Sequence, residues 1–233
     1  MISVNGEVYE YVSKKEYSPI RAELNKILQK ANSYLKNTDI HFEHRLVGSG
    51  SRGLVTRIVG GNQGYDLDFN LVLDAPKGFI NDAELVKRSM MDAFQYAVKG
   101  TGWSDPKDST SVMTIKVVDK KNKRIQYGCD LAIVCYDLRG EMYYLHNYKD
   151  HRGYQFVHKS NARDIDSSVD TICDYYENGW NLIREEYLLL KNNNNDPNKK
   201  SFMLYIEAVN NVYHQMLCEQ DDDDDDWWDD DDY

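Results

Sequence analysis

The sequence predicts an α+β fold, a mixed or antiparallel sheet flanked by helices and followed by a reduced C-terminal helical lobe. Three observations carry that expectation. Residues 66–71 alternate polar and apolar with the two-residue period of a half-buried strand. Residues 18–37 and 81–99 place apolar side chains every three or four positions, the period of a helix packed on one side. Beyond about residue 164 only the helical period remains.

Taken in order, Ser18-Pro19 followed by Ile20, Leu24, Ile27, Leu28, Ala31 and Leu35 predicts a helix capped by Ser18 and ending near Asn37. Residues 39–47 read as extended. Gly48-Ser49-Gly50-Ser51-Arg52-Gly53 then breaks the apolar pattern with a tight turn or a helix start. A loop over Gly60–Gly64 precedes the strand in which Asp66, Asp68 and Asn70 share one face and Leu67, Phe69 and Leu71 the other. Asn81 is the expected N-cap of a second helix, which carries Ala83, Val86, Met90, Phe94 and Ala97 at helical spacing. Ser111–Val118 and Arg124–Tyr136, joined by the polar Asp119–Lys123, predict an antiparallel hairpin, and residues 141–146 an edge strand. Helices are expected over Ile165–Leu190 and Lys200–Leu217, on either side of the Asn-rich stretch Asn192–Asn198. These readings divide the chain into a core over 1–160, a helical segment over 161–220 and an Asp/Trp tail over 221–233 that is expected to be disordered.

The 233 residues are 41% hydrophobic and 29% charged, enough to bury a sizeable core. No apolar run approaches the roughly 18 residues of a membrane helix, so no membrane partner is expected. The first residues lack the basic-then-apolar order of a secretion signal, which leads to the expectation of a cytoplasmic protein. The formal charge of −11 is concentrated in the tail: without the 10 Asp of residues 221–226 and 229–232, 29 acidic face 28 basic residues. A body so near neutrality does not match a dedicated DNA binder. Cys129, Cys135, Cys173 and Cys218 show no metal-type spacing and read as reduced core thiols, and the six histidines show no zinc pattern.

The chemistry resides in the carboxylates. Asp66 and Asp68, at i and i+2 of a strand, project from one face with Cα atoms about 7 Å apart. Such a pair is unfavourable without a cation and suits one or two Mg²⁺ ions, whose hard charge prefers carboxylate and phosphate oxygens. Asp130 is the candidate third ligand, because it lies on a separate apolar strand where an unpaired charge needs a partner. Upstream, Gly48, Ser49 and Ser51 offer close-approaching backbone and hydroxyls to phosphate oxygens, with either Gly48-Ser49 or Gly50-Ser51 as the anchor. Arg52 and Arg57 add cationic candidates. The stretch is neither a P-loop nor a dinucleotide fingerprint.

Gly48-Ser49, the Asp66-Leu67-Asp68-Phe69 strand and Asp130 together resemble the three-part signature of the DNA polymerase beta nucleotidyltransferase superfamily. Leu188-Leu189-Leu190-Lys191, a short loop, then Lys200-Ser201-Phe202-Met203-Leu204-Tyr205-Ile206-Glu207 resembles the helical part of the oligoadenylate synthetase and cyclic GMP-AMP synthase-like group, including bacterial cyclic-oligonucleotide synthases. The likeness spans about residues 46–210. The 16 residues between Ser49 and Asp66 exceed the superfamily's usual spacing, so the Gly60–Gly64 loop reads as an insertion.

The resemblance implies a template-independent transfer that depends on two Mg²⁺ or Mn²⁺ ions. An acceptor hydroxyl attacks the α-phosphate of a nucleoside triphosphate and expels pyrophosphate. Asp66, Asp68 and Asp130 are the implied metal ligands, Asp130 serving the metal nearer the acceptor, and Lys191 and Ser201 the implied contacts to the donor triphosphate. A nucleotide acceptor would give a signalling oligonucleotide or cyclic dinucleotide of the kind used in antiviral defence. The alternatives are transfer to RNA, protein or a small molecule, and a non-catalytic nucleotide-binding module. The tail has its own functional reading as a polyanion mimic that occupies the substrate groove.

Overall fold

The computed structural model describes residues 7–74, 82–150, 152–159 and 165–225, with side chains described as far as Gln220. The chain divides into two compact units: Glu10–Ser160, and Asn161–Tyr233 together with Met1–Tyr9, whose described part is mostly helical.

The larger unit is built on a seven-stranded mixed sheet. Its strands are β2 (Phe42–Val47), β4 (Tyr65–Leu73), β5 (Lys107–Asp108), β6 (Met113–Asp119), β7 (Arg124–Tyr136), β8 (Met142–Asn147) and β9 (Tyr154–His158). The order is β2-β4-β7-β6-β5, with β8 paired to the far end of β7 and β9 to β8. The pairing of β4 with β7 is parallel, and every other pairing in this sheet is antiparallel. A separate two-stranded sheet joins β1 (Tyr9–Tyr11) and β3 (Thr56–Ile58). The expected hairpin of β6 and β7 is present. β8 is not an edge, because β9 continues the sheet beyond it, and neither β9 nor the two-residue β5 carries enough alternation to be read from sequence.

Two helices cover the apolar face. Helix α1 (Lys14–Tyr34) begins a turn before the expected Ser18 cap. Ser13 is the cap, in a reciprocal box with Glu16: Glu16 N donates to Ser13 Oγ at 3.2 Å and Ser13 N donates to Glu16 Oε2 at 3.3 Å. Two backbone donors satisfied at once outweigh the start offered by Ser18-Pro19, and Pro19 lies inside the helix. Helix α2 (Gly48–Arg52) follows β2 and is closed by Gly53 in the left-handed region at φ +67°. Helix α3 (Ala83–Val98) is capped by Asp82, whose carboxylate accepts from Leu85 N at 3.0 Å; the expected cap, Asn81, lies outside the described residues.

Leu24, Leu28 and Ala31 of α1 and Val86, Met90 and Phe94 of α3 pack with Leu67, Phe69, Ile115, Leu131 and Ile133 into one buried cluster. Burying a side chain of this size contributes roughly 1.5 to 3 kcal/mol, which fixes the register of the strands and therefore which residues face away from the core.

In the helical unit, α4 (Asp166–Tyr175), α5 (Gly179–Asn193) and α6 (Ser201–Asp225) replace the two expected helices. The break falls at Gly179, where a Cβ would lie 2.7 Å from Ile172 O and 2.9 Å from Cys173 Cα, so the turn closes only on glycine. Helix α6 runs on through Asp225 rather than ending near residue 217, since adding a residue to an existing helix costs far less than nucleating one. Trp227, Trp228 and Tyr233 of the tail lie outside the described residues. No described helix is long and apolar enough to cross a membrane. Cys129 and Cys135 are buried as expected of core thiols, whereas Cys173 and Cys218 are exposed.

Candidate active site

Asp66 and Asp68 lie two apart on β4, with Leu67 between them buried in the core. The parallel register sets Asp68 directly beside Asp130 and Asp66 beside Gly128 on β7. Partners in register face the same way, so all three carboxylates rise from the face that α1 and α3 leave uncovered.

Their electrostatics agree with that placement. Desolvation, and after it the charge of Asp130, raises the pKa of Asp66, with Lys116 pulling weakly the other way. Desolvation, then Asp130 and Asp66, pushes Asp68 up to about 6. Among the described residues no lysine or arginine forms an ion pair with any of the three. Asp130 is steadied by a neutral donor: Thr114 Oγ1 on β6 donates to its Oδ1 at 2.5 Å.

The floor around these groups is pared to backbone. At Gly128 a Cβ would collide with Asp66 Oδ1, and at Gly48 it would come 2.6 Å from Asp68 Oδ2. Gly48 also sits at φ +64°, where a side chain is strained whatever the space. Gly50 instead packs on Leu46 and Leu67, so of the two candidate anchors Gly48-Ser49 is the one beside the aspartates. Ser51 donates its hydroxyl to Gly48 O at 2.9 Å and is committed there, while among the described residues the Ser49 hydroxyl makes no hydrogen bond. Arg57 is held by Glu10 and Glu16, at 2.7 Å each, and Arg52 reaches Gly48 O at 3.3 Å.

Among the described residues no three acidic, histidine or cysteine side chains stand close enough to form a ready-made metal cage. The donor set nevertheless fits a hard divalent ion: carboxylates on adjacent strands, with Asp66 and Asp68 raised by desolvation and by the charge of Asp130, and bordered by glycines whose missing side chains leave room beside them. Side chains of like charge favour rotamers that separate them.

In the helical unit, Lys191 on α5 and Ser201 at the start of α6 come together across the Asn-rich loop, with Nζ 3.3 Å from Oγ. They line a cavity of about 300 Å³ with Tyr9, Asn192, Asn194 and Lys199. Burial lowers the Lys191 pKa to about 8. Tyr205, close by on α6, is 4% exposed and belongs to the core. Sequence reasoning did not single out Thr114, Gly128, Tyr9 or Asn192. Gly128, two residues before Asp130, carried the only signal, a glycine inside a strand.

No protein-family profile matches the sequence, and no curated protein does. Solved structures do. Vibrio cholerae DncV cyclic AMP-GMP synthase in complex with the linear intermediate pppA(3′,5′)pG superposes with a TM-score of 0.63 at 10% identity, covering 89% of this chain and 69% of that one. A second structure of that enzyme, described as a prokaryotic cGAS homologue, gives 0.63 at 11% identity over 88% and 68%. Its GTP-bound form gives 0.59 at 12% identity over 88% and 68%. At these identities the likeness is one of architecture: this chain has the nucleotidyltransferase fold of DncV.

Proposed function

We propose that this protein is a divalent-metal-dependent nucleotidyltransferase that joins nucleoside triphosphates into a signalling oligonucleotide or cyclic dinucleotide. The observation that carries the reading is the set of cation-poor carboxylates of Asp66, Asp68 and Asp130 on one open face of the sheet, with Asp66 and Asp68 raised by desolvation and by the charge of Asp130. DncV, whose fold the chain shares, is a cyclic AMP-GMP synthase with structures holding GTP and a linear dinucleotide, which favours a nucleotide as acceptor.

In the proposed mechanism Asp66, Asp68 and Asp130 would hold Mg²⁺ or Mn²⁺. When bound, the metals would neutralise charge on the α-phosphate and on the departing pyrophosphate. Asp130 accepts the proton of the attacking hydroxyl, Thr114 holding its other oxygen still. Ser49 and the backbone at Gly48 receive phosphate oxygens beside Asp68. Lys191 and Ser201 bind the triphosphate tail. Most of the acceleration comes from positioning and charge neutralisation, so each carboxylate is worth about 10² to 10⁴ in rate.

The test is to incubate the purified protein with each nucleoside triphosphate and Mg²⁺ or Mn²⁺ and resolve the products by mass. A product made only of nucleotides, lost in Asp68→Asn and Asp130→Asn, supports the reading. Label on the protein, on added RNA or on a small molecule would redirect it, and near-normal turnover by both variants would refute it.

A further inference from the structure

Lys191 is surrounded by rings as well as hydroxyls. Its Nζ stands 3.3 Å from Ser201 Oγ and 3.5 Å from Tyr187 Oη, and it lies 4.8 Å from the centre of the Tyr9 ring and 5.6 Å from that of Tyr187. Tyr187 is one turn away on the same helix. Tyr9 is 182 positions away in sequence and needs a separate reason to be there.

Asn192, the next residue after Lys191, supplies it. Tyr9 N donates to Asn192 Oδ1 at 2.7 Å, and Asn192 Nδ2 donates to Tyr9 O at 3.4 Å. One amide side chain thus takes both backbone polar groups of Tyr9, as a neighbouring strand would, and fixes where its ring falls. The ring falls over the ammonium, and both residues line the same cavity.

We propose that Tyr9, clamped by Asn192, is a positioning residue of the triphosphate site, so that the segment leading into the sheet unit completes the cavity around Lys191. This rests on the reading of Lys191 and Ser201 as triphosphate ligands. A lysine side chain has four rotatable bonds and considerable freedom, and a ring face beside its ammonium restricts that freedom. The ring also attracts the charge without taking one of the ammonium's protons as a carboxylate would. The carboxylates of Glu7 and Asp196 line the cavity too, so where the ammonium points decides whether the site attracts or repels a polyanion.

The experiment measures equilibrium binding of inorganic tripolyphosphate and of ATP by calorimetry, with KM and kcat for the triphosphate alongside. Tyr9→Leu and Asn192→Ala are expected to weaken both probes by about 3- to 30-fold and to raise KM with kcat little changed. Tyr9→Phe, which keeps the ring, is expected to restore wild-type affinity. In a Lys191→Met background the Tyr9→Leu change is expected to produce no further loss, a coupling that a merely structural tyrosine would not show. Should Tyr9→Leu not fold, Asn192→Ala against Lys191→Met carries the same cycle. Wild-type affinity in Tyr9→Leu and Asn192→Ala, or equal losses with and without Lys191, overturns the inference and leaves the triphosphate reading standing. Absence of binding by the wild type overturns both.

Discussion

Thr114 on β6 donates a 2.5 Å hydrogen bond from Oγ1 to Oδ1 of Asp130 on β7, its direct cross-strand partner. A carboxylate anchored through one oxygen presents the other in a defined direction. A hydrogen bond to a charged group contributes about 1.5 to 3 kcal/mol. Thr114→Val, which keeps the shape and removes the donor, is therefore expected to reduce turnover by roughly 10- to 100-fold. It is also expected to weaken Mn²⁺ binding followed by electron paramagnetic resonance. Thr114→Ser should stay within a few-fold of wild type. Equal Mn²⁺ affinity and turnover in wild type and Thr114→Val would show that the bond does not orient Asp130.

Asp68 predicts a pH dependence whose sign follows from its environment. Desolvation, then Asp130 and Asp66, raises its pKa from 3.8 to about 6, so the folded chain binds this proton more tightly than the unfolded chain. The resulting stabilisation is complete below pH 3.8, shrinks as pH rises and is gone above about 6. Asp68→Asn carries no charge at any pH. Relative to wild type the variant should therefore gain stability as pH rises from about 4 to about 6.5, on the order of 3 kcal/mol in all, read as a widening Tm difference that levels off above that range. Added Mg²⁺ should narrow the gap by stabilising the wild type alone. A difference that stays constant across that range would remove the electrostatic basis of the site.

Gly128 tests the glycine floor separately from backbone strain. Its φ is unexceptional for a strand, so alanine suits the backbone, but the new Cβ would collide with Asp66 Oδ1 and force the carboxylate to turn. Gly128→Ala should lower turnover at least about 10-fold while Tm changes by only a few degrees. Full activity in a folded Gly128→Ala protein would mean that the Asp66 rotamer is immaterial.

How far sequence reaches into this site depends on whether a signal is local. The strict alternation of β4 placed Asp66 and Asp68 on one face because the buried Leu67 and Phe69 permit no other register. The six-residue Gly/Ser stretch marks a tight turn or a helix start through its lack of apolar side chains, and the structure takes the second. Ser13-x-x-Glu16 is an equally local capping signal, less conspicuous than Ser18-Pro19, and Glu177-Asn178-Gly179 is a break hidden within helical periodicity. Thr114 and Tyr9 could not be read at all. Each matters through a partner brought near by tertiary packing, and nothing in the surrounding residues marks a threonine on a strand or a tyrosine near the N-terminus.

Lys87 and Asp108 offer a prediction that is independent of catalysis and sensitive to direction. Lys87 on α3 is the one charged residue among the fully buried described residues, at 5% exposure, and its Nζ lies 2.6 Å from Asp108 Oδ1. Asp108, whose side chain is 24% exposed, also accepts from Tyr154 Oη at 2.6 Å and Asn147 Nδ2 at 2.8 Å. Desolvation lowers the pKa of Lys87. Asp108, although desolvation alone would raise it, is held below its usual value by the hydrogen bonds of Lys87, Tyr154 and Asn147. The two halves of the pair are therefore unequal. Removing the lysine leaves a carboxylate with water and two donors at hand, whereas removing the carboxylate's charge leaves an ammonium buried without its counter-ion. Losing the partner of a buried charge costs about 3 to 5 kcal/mol, and replacing the charge itself with an apolar group of similar volume costs far less. Asp108→Asn should accordingly unfold at markedly lower denaturant concentration than Lys87→Met, and the deficit should shrink at high pH as Lys87 loses its proton. The opposite ranking in a urea titration would mean that the pair is held by Asp108 and its hydrogen-bonding neighbours rather than by the need to neutralise Lys87.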